Sequence, residues 1–294
     1  MPSSDLIHKF LFEHTDIRGE VATLEASCQE VMDNNQHLPP GVRALLGEFL
    51  AAATLLSGSL KFDGVLTLQA SGEGPLTMIM AECSHHRAVR GIARLGPDSE
   101  PAALAEMSLQ QLLGRGTLAI IIEPDRGERY QGIVPLDGDN LAVCLERYFA
   151  HSEQLPSRFW LAADGHRCAG LMLQALPRQV ATEEDNQAQW QTAVQLASTI
   201  RAAELLQLPH REILYRLFNE EQLRLFEPAA VAFHCNCSRE RSANALLSLG
   251  REEVEALLAE QDIINIDCQF CNRGYAFGSK DLAQLFGGDQ SPRH

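Results

Sequence analysis

The side chains best suited to chemistry in this sequence are four cysteines in two close pairs near the carboxyl end. The pairs are Cys235-Asn236-Cys237 and Cys268-Gln269-Phe270-Cys271. Zinc is a soft divalent ion that favours thiolates, and four of them complete a tetrahedral site with metal–sulfur bonds of about 2.3 Å. The spacing therefore predicts that these four sulfurs bind one Zn²⁺.

The residues around the second pair indicate a folded metal knuckle. Ile264 and Ile266 alternate with polar residues before the pair, and Tyr275 and Phe277 alternate after it. This alternation predicts two short strands that flank the cysteines. His234 adjoins the first pair, but four thiols already fill a tetrahedron, so we interpret it as a surface histidine.

The other cysteines stand alone, and we interpret them as core thiols to which we assign no role. They are Cys28, Cys83, Cys144 and Cys168. Residues 1–19 carry charges within their apolar stretch and lack the uninterrupted core of a signal peptide. Clustered thiols without a secretory signal are typical of a reducing compartment. We therefore expect a cytoplasmic protein.

Composition and motifs exclude several classes of function. A formal net charge of −15 repels phosphate backbones, so we expect no nucleic-acid partner. The longest uncharged stretch, residues 49–60, is shorter than the roughly 18 residues of a membrane span, so we expect no membrane partner. We find no phosphate loop, dinucleotide loop, nucleophile elbow or His-Glu-x-x-His pair. The prediction is a protein that is not an enzyme and has no catalytic residues.

Periodicity predicts an α+β amino-terminal domain over residues 1–176. Residues 64–94 alternate as a sheet, and residues 117–134 read as a hairpin. Residues 41–60 have the length and composition of a buried helix, and a second apolar helix face includes Cys144. We expect a mixed α/β domain with an antiparallel sheet.

Two further segments follow this domain. Residues 177–230 are predicted to form a helical, metastable linker, which begins with a polar connection over 181–190. The stripe from Trp190 to Leu208 predicts one helix ended by Pro209, and residues 213–218 predict another. Residues 231–294 are predicted to form a small zinc-binding domain.

The carboxyl-terminal domain is expected to depend on its metal. Modules below roughly 70 to 80 residues rarely draw more than about 3 to 5 kcal/mol from their core. A structural zinc contributes about 10 to 16 kcal/mol in small modules. Oxidation is expected to join the thiols nearest in sequence, and disulfides across such short loops contribute only about 1.5 to 2 kcal/mol each. Loss of the ion should therefore melt the domain and expose the apolar stripes of the linker.

The motifs resemble those of the 33 kDa chaperonin (heat shock protein 33) family. The most specific are Cys-Asn-Cys-Ser-Arg-Glu-Arg at residues 235–241 and Cys-Gln-Phe-Cys-Asn-Arg-Gly-Tyr-Ala-Phe at residues 268–277. The resemblance extends over the full length of the chain. The other motifs that support it are residues 61–64, 72–75, 90–94, 127–132 and 152–156. Some members have a further thiol where this chain has Ser242, a difference that leaves the four ligands intact.

The resemblance implies an ATP-independent holdase chaperone that binds unfolding proteins during oxidative stress. It implies zinc on Cys235, Cys237, Cys268 and Cys271 in a reduced, inactive form. It also implies activation by peroxide with heat or by hypochlorous acid. The oxidised form would carry the disulfides Cys235–Cys237 and Cys268–Cys271 and form a homodimer.

Two other functions remain open at this point. The spacing Cys268-x-x-Cys271 also occurs in thiol-disulfide oxidoreductases, although there the motif usually opens a helix beside a βαβ unit. A zinc-ribbon interaction module that keeps its metal in peroxide is the other alternative, because four thiolates alone do not distinguish a switch from a constitutive site.

Overall fold

The computed structural model describes residues 5–58, 63–177 and 182–287. The chain divides into two compact units, Met1–His234 and Cys235–His294. Several residues used in the sequence analysis lie outside the described part: 1–4, 59–62, 178–181 and 288–294. They include the end of the helix predicted over 41–60, the first two residues of the 61–64 motif, and residues 178–181 of the linker predicted over 177–230.

The first unit is a mixed α/β domain, as predicted. Its elements in chain order are β1 (Leu6–Phe12), β2 (Ile17–Leu24), α1 (Ala26–Asn34), α2 (Pro40–Gly58), β3 (Gly64–Gly72), β4 (Leu76–Ser84), β5 (Ala88–Leu95), α3 (Leu109–Leu113), β6 (Gly116–Pro124), β7 (Tyr130–Pro135), α4 (Leu141–Tyr148), β8 (Ser157–Ala163), β9 (Cys168–Ala175), α5 (Glu183–Ala197), α6 (Ala202–Gln207), α7 (His210–Phe218), β10 (Leu223–Leu225), β11 (Ala229–Ala230) and β12 (Ala232–Phe233).

Two sheets organise this unit. The first sheet has the order β10-β1-β2-β9-β8, with β11 also paired to β1. The second sheet has the order β12-β5-β4-β3-β6-β7. Neighbouring strands run antiparallel except β12, which pairs with β5 in parallel. The predicted strands and the hairpin over 117–134 are confirmed, and turns that contain Gly and Pro separate them.

Helix α2 is the centre of the first unit. It packs against strands of both sheets and belongs to the larger apolar core. By length and composition it would pass as a membrane span, but 78% of that stretch is buried within the protein. A helix that is apolar on all sides is expected in the core of a globular domain. The predicted buried helix is confirmed as far as Gly58.

The helices α5, α6 and α7 cover the other face of the first sheet. Their apolar residues form a second core with strands β1, β2 and β9. Aromatic rings mark the contact, since the Phe218 centroid lies 5.0 Å from that of Phe12 and 6.1 Å from that of Phe10. The apolar helix faces predicted from the sequence over 190–218 are therefore buried against the first sheet.

The prediction of one helix over 190–208 was wrong. Helix α5 ends at Ala197 because the hydroxyls of Ser198 and Thr199 donate back to the carbonyls of Val194 and Leu196. Helix α6 then begins afresh after Arg201, whose N–H donates to the Glu204 carboxylate. The apolar periodicity continues across the break, which is why sequence alone predicted a single element.

The polar connection predicted over 181–190 is also different in the structure. From Glu183 onward this stretch is the first half of α5. Thr182 caps it by accepting a hydrogen bond from the Asp185 N–H. The Asn186 side chain donates to Asp16 Oδ2 at 2.8 Å, which ties the helix to the turn before β2. A cap and two half-buried hydrogen bonds between Asn186 and Asp16 thus order a segment whose composition resembles a linker.

We predict that Gly19→Ala destabilises the first unit by about 1 to 3 kcal/mol. Gly19 lies opposite Phe10 in the first sheet, and a Cβ atom at residue 19 would be 2.1 Å from Phe10 Cζ. That ring cannot move freely, because it is fully buried against Phe12 and Phe218. The measurement is the urea midpoint of the first-unit transition.

Gly96→Ala is the matched control. The nearest atom to its new Cβ, Ser99 Oγ, would be 3.4 Å away, which is ordinary contact. Equal urea midpoints for the two variants would contradict the tight packing at Gly19.

Candidate metal centre

The second unit is small and has few apolar side chains at its centre. Its elements are α8 (Arg239–Leu249), α9 (Arg251–Glu260), β13 (Ile263–Asp267), β14 (Gly274–Gly278) and α10 (Ser279–Gly287). Strands β13 and β14 form an antiparallel hairpin in which Ile264 faces Phe277, as the alternation predicted. The buried apolar residues are Ala243, Leu246, Val254, Ile264, Phe277 and Leu282.

The hairpin turn and the start of α8 hold the two cysteine pairs. In the turn, the Cys268 N–H donates to the Arg273 carbonyl at 3.0 Å, and the Asn272 N–H donates to the Cys268 carbonyl at 2.8 Å. Asn272 has a φ of 55°, a left-handed conformation that asparagine tolerates. Before α8, Ser238 caps the helix by accepting from the Arg241 N–H. Both loops are thus fixed by backbone hydrogen bonds.

The structure brings the four predicted sulfurs together. The Sγ atoms of Cys235, Cys237, Cys268 and Cys271 all lie within 4.8 Å of one another. The distance is 3.6 Å between Cys235 and Cys268 and 3.4 Å between Cys237 and Cys271. Sulfurs bound tetrahedrally at about 2.3 Å would be about 3.8 Å apart. The donor set and its spacing therefore fit one metal ion.

Hydrogen bonds and burial make the thiols unequal. Burial opposes ionisation of Cys237, but hydrogen bonds from Tyr275 and the other cysteines lower its pKa to about 7. Burial, reinforced by hydrogen bonds to the neighbouring sulfurs, raises the pKa of Cys271 to about 12. Burial also raises the pKa of Cys235. Four thiolates this close together repel one another, and a divalent ion is what would allow all four to ionise.

The sequence did not predict two polar side chains near the cluster: Tyr275 contacts one of the sulfurs, and Arg239 links α8 to β14 and α10. Tyr275, noted only as part of an alternating strand, donates its hydroxyl to Cys237 Sγ at 3.1 Å. Arg239 stacks 4.4 Å from the Phe277 ring centre and donates to Asp281 and to the Ala276 carbonyl, both at 2.7 Å. The proximity of Tyr275 to the second cysteine pair was the one available signal, since residues near ligands often orient them.

The remaining sequence-predicted residues lie away from this cluster. Within the described ranges, these four cysteines are the one group of three or more His, Cys, Asp or Glu side chains placed to hold a metal. His234 is exposed and is not part of the group. The four single cysteines, Cys28, Cys83, Cys144 and Cys168, are all buried in the first unit, in agreement with core thiols. Burial raises the pKa of Cys83 to about 12, so this thiol is unreactive.

The setting of the Cys268-x-x-Cys271 motif differs from that of an oxidoreductase. The motif follows strand β13 and lies in a turn that leads into β14. It does not open a helix, the position that lowers the pKa of a redox-active thiol in such enzymes.

Comparisons with known proteins agree with the resemblance noted in the sequence. The family model described as "Hsp33 protein" matches residues 5–278. A 33 kDa chaperonin of Pseudomonas paraeruginosa is 52% identical over 98% of this chain and 96% of its own length. A 33 kDa chaperonin of Azotobacter vinelandii is 51% identical over 99% of this chain and 97% of its own length.

A solved structure shares the fold. The crystal structure of the 33 kDa chaperonin (heat shock protein 33 homolog) from Thermotoga maritima superposes with a TM-score of 0.82 and 24% identity. The match covers 97% of this chain and 98% of that one. Together with the family match over residues 5–278, the relatives establish that this chain belongs to the Hsp33 protein family.

Proposed function

We propose that this chain is an ATP-independent holdase chaperone that oxidation of its four clustered cysteines switches on. The observation that carries the proposal is the meeting of Cys235, Cys237, Cys268 and Cys271 within 4.8 Å in a unit with a small apolar core. Membership in a family whose relatives are named chaperonins supports the chaperone part. In this proposal the reduced, zinc-bound form is inactive, and the protein is not an enzyme.

The four cysteines would hold Zn²⁺ as thiolates in the reduced state. Bound zinc would offset half of the negative charge of the four thiolates and cross-link the loop before α8 to the turn between β13 and β14. Among the described residues of this unit, six buried and six partly buried apolar side chains form a small core, which in domains of this size contributes only about 3 to 5 kcal/mol. Metal binding at about 10 to 16 kcal/mol would therefore be the larger source of order in this unit.

Oxidation removes the ligands in pairs. Two zinc-bound thiolates give up two electrons as their S–S bond forms, and the solvent supplies two protons. Hydrogen peroxide takes up both and becomes two molecules of water as its O–O bond breaks. Two such steps consume all four thiols and leave no sulfur able to hold the ion.

The pairing of the disulfides decides whether the unit melts. The closest sulfur contacts join the two loops, Cys235 to Cys268 and Cys237 to Cys271. The first disulfide across the loops would stabilise by about 4 kcal/mol, roughly twice the effect of a bond within one short motif. We propose pairing within each motif, Cys235–Cys237 and Cys268–Cys271, because partners in one short loop stay close when the loops separate. That pairing leaves the unit without a link between its halves.

Melting would create apolar surface that binds unfolding proteins. The proposed domain limits are residues 1–176, a metastable segment at 177–230 and the zinc domain at 231–294. The middle segment would supply the surface, since α7 alone buries Ile213, Leu214, Leu217 and Phe218 against the first sheet. Large exposed apolar patches associate with other apolar surfaces. The partners would be aggregation-prone client proteins and, after oxidation, a second copy of the chain.

Charge and composition support the remaining parts of the proposal. A net charge of −15 disfavours binding to nucleic acids or to anionic membranes. The clustered free thiols suit the reducing cytoplasm. There the thiols stay reduced at rest, and the arrival of an oxidant acts as the signal.

We predict that the reduced chain retains about one equivalent of zinc and that Cys237→Ser or Cys271→Ser loses it. A hydroxyl is a poor zinc ligand, and three thiolates leave the tetrahedron incomplete. The measurement is metal content by mass spectrometry after dialysis against a chelator. Cys144→Ala is the control, because this buried thiol of the first unit should leave the zinc in place. Full metal retention by both serine variants would contradict the site.

We predict that Tyr275→Phe weakens zinc binding by about 10-fold to 100-fold without unfolding the second unit. The substitution removes only the hydroxyl that donates to Cys237 Sγ, and the ring remains. Competition with a chromogenic chelator measures the affinity, and circular dichroism checks the fold. Tyr215→Phe serves as the control, because the Tyr215 side chain is exposed on α7. Equal zinc affinities for the two variants would remove Tyr275 from the metal site.

We predict that peroxide treatment releases zinc and suppresses aggregation of an unfolding test protein in the same sample. Peptide mapping should find Cys235–Cys237 and Cys268–Cys271, and protease should cleave the second unit faster once it is oxidised. Reduced, zinc-loaded protein is the control and should not suppress aggregation.

Three results would each contradict the switch. Disulfides that join the two loops, with the unit still resistant to protease, would remove the cause of melting. Equal suppression by the reduced form would show a constitutive chaperone. Zinc that stays bound in peroxide, with partner binding unchanged, would instead identify a constitutive zinc module.

A further inference from the structure

Two buried histidines join helix α7 to the first sheet. His8 on β1 and His210 at the start of α7 are only 6% and 8% exposed. Their Nδ1 atoms lie 2.7 Å apart, and His210 Nε2 lies 2.9 Å from the Thr23 hydroxyl on β2. The rings meet edge to face with centroids 5.0 Å apart. This is a polar contact inside an otherwise apolar boundary between α7 and the strands.

The hydrogen bond between the rings needs an unprotonated Nδ1 on one of them. In the neutral pair one Nδ1–H donates and the other Nδ1 accepts. A first added proton places a positive charge in a buried site. A second added proton leaves two N–H groups facing each other at 2.7 Å, so the bond is lost. Each step favours a state in which α7 has left the sheet and the imidazoles are in water.

The charges around the pair do not compensate for protonation. Arg211 on α7 faces His8 and opposes a positive charge there, whereas Glu227, before β11, favours it. Both line a cavity of about 500 Å³ beside the pair, together with Glu25 and Arg167. Those two side chains bind each other at 2.6 Å, so neither is a free counter-charge. His210 is also the first residue of α7, where the helix dipole disfavours a cation.

We propose that the His8–His210 contact is an acid-sensitive latch that holds α7 on the first sheet near neutral pH and releases it in mild acid. No thiol takes part, so the latch would act on the fully reduced protein. If the proposed chaperone function is correct, acid would uncover part of the same apolar surface by a second route. The latch itself does not depend on that function.

The expected size of the effect follows from proton linkage. Burial, followed by the proximity of His8, lowers the pKa of His210 to about 4. Burial, followed by Arg211, lowers the pKa of His8 as well. In the released state both groups would titrate near pH 6.5, so docking is weakened as the pH falls below that value. His210 alone gives a loss of about tenfold in the docking equilibrium at pH 5.5, and His8 adds to it.

The test is hydrogen exchange on the reduced, full-length protein at pH 7.5 and 5.5, expressed as protection factors that correct for intrinsic exchange. The amides of α7 should lose protection by about tenfold or more at pH 5.5, whereas the amides of α2 should not change. The double variant His8→Gln/His210→Gln, which does not titrate, should show no loss. His166→Gln, at an exposed histidine, should behave as the unsubstituted chain.

Three results of this experiment would overturn the latch. They are unchanged protection of α7 at pH 5.5, an equal loss in α2, and an equal loss in the double variant. If the double variant does not fold, an NMR titration of the imidazoles in the unsubstituted chain decides. Two imidazoles with pKa values clearly below 6.5 support the latch, and ordinary titration of every histidine overturns it. Because neither readout measures aggregation or zinc, the latch can fail while the redox proposal stands.

Discussion

The four sulfurs that meet in the second unit place the main chemical constraint on that unit. Two loops far apart in sequence each bring a pair of thiols to one point, and all four Sγ atoms lie within 4.8 Å. Bare thiolates at such distances repel one another, and burial opposes their ionisation. The cluster therefore needs either protons, a cation or sulfur–sulfur bonds, and each choice gives the small unit a different stability.

The first unit contains two separate apolar cores. Helix α2 and the facing sides of the two sheets form the larger core, in which residues such as Phe49 and Leu50 are fully buried. The helices α5, α6 and α7 form a separate core on the opposite face of the first sheet. This second core includes the Phe12–Phe218 ring contact, and two polar contacts tie its helices to the first sheet: Asn186 of α5 with Asp16 before β2, and His210 at the start of α7 with His8 on β1. Because polar groups help to hold these helices on the sheet, a change of pH can weaken their packing while the larger apolar core is unchanged.

Local rules worked where a residue's neighbours in sequence decide its environment. Alternating side chains predicted β3, β4 and the β13–β14 hairpin, since a strand with one buried face must alternate. The same rules failed at α5 and α6. The apolar stripe continues through Ser198 and Thr199, and periodicity does not reveal that their hydroxyls turn back to end the helix. The polar start of α5 was likewise read as a connection, because its cap and its bond to Asp16 come from specific contacts and not from composition.

The sequence alone determined the chemistry of this protein: which side chains form the cluster, which ion they suit, and which family the chain belongs to. Thiol pairs at short spacing carry that information locally, because ligand type and loop length limit what they can bind. Only the tertiary structure decided that sulfur contacts run between the loops, that Tyr275 donates to Cys237, and that His8 meets His210. These contacts join residues from different elements, and their distances follow from how whole strands and helices pack, which no local pattern specifies.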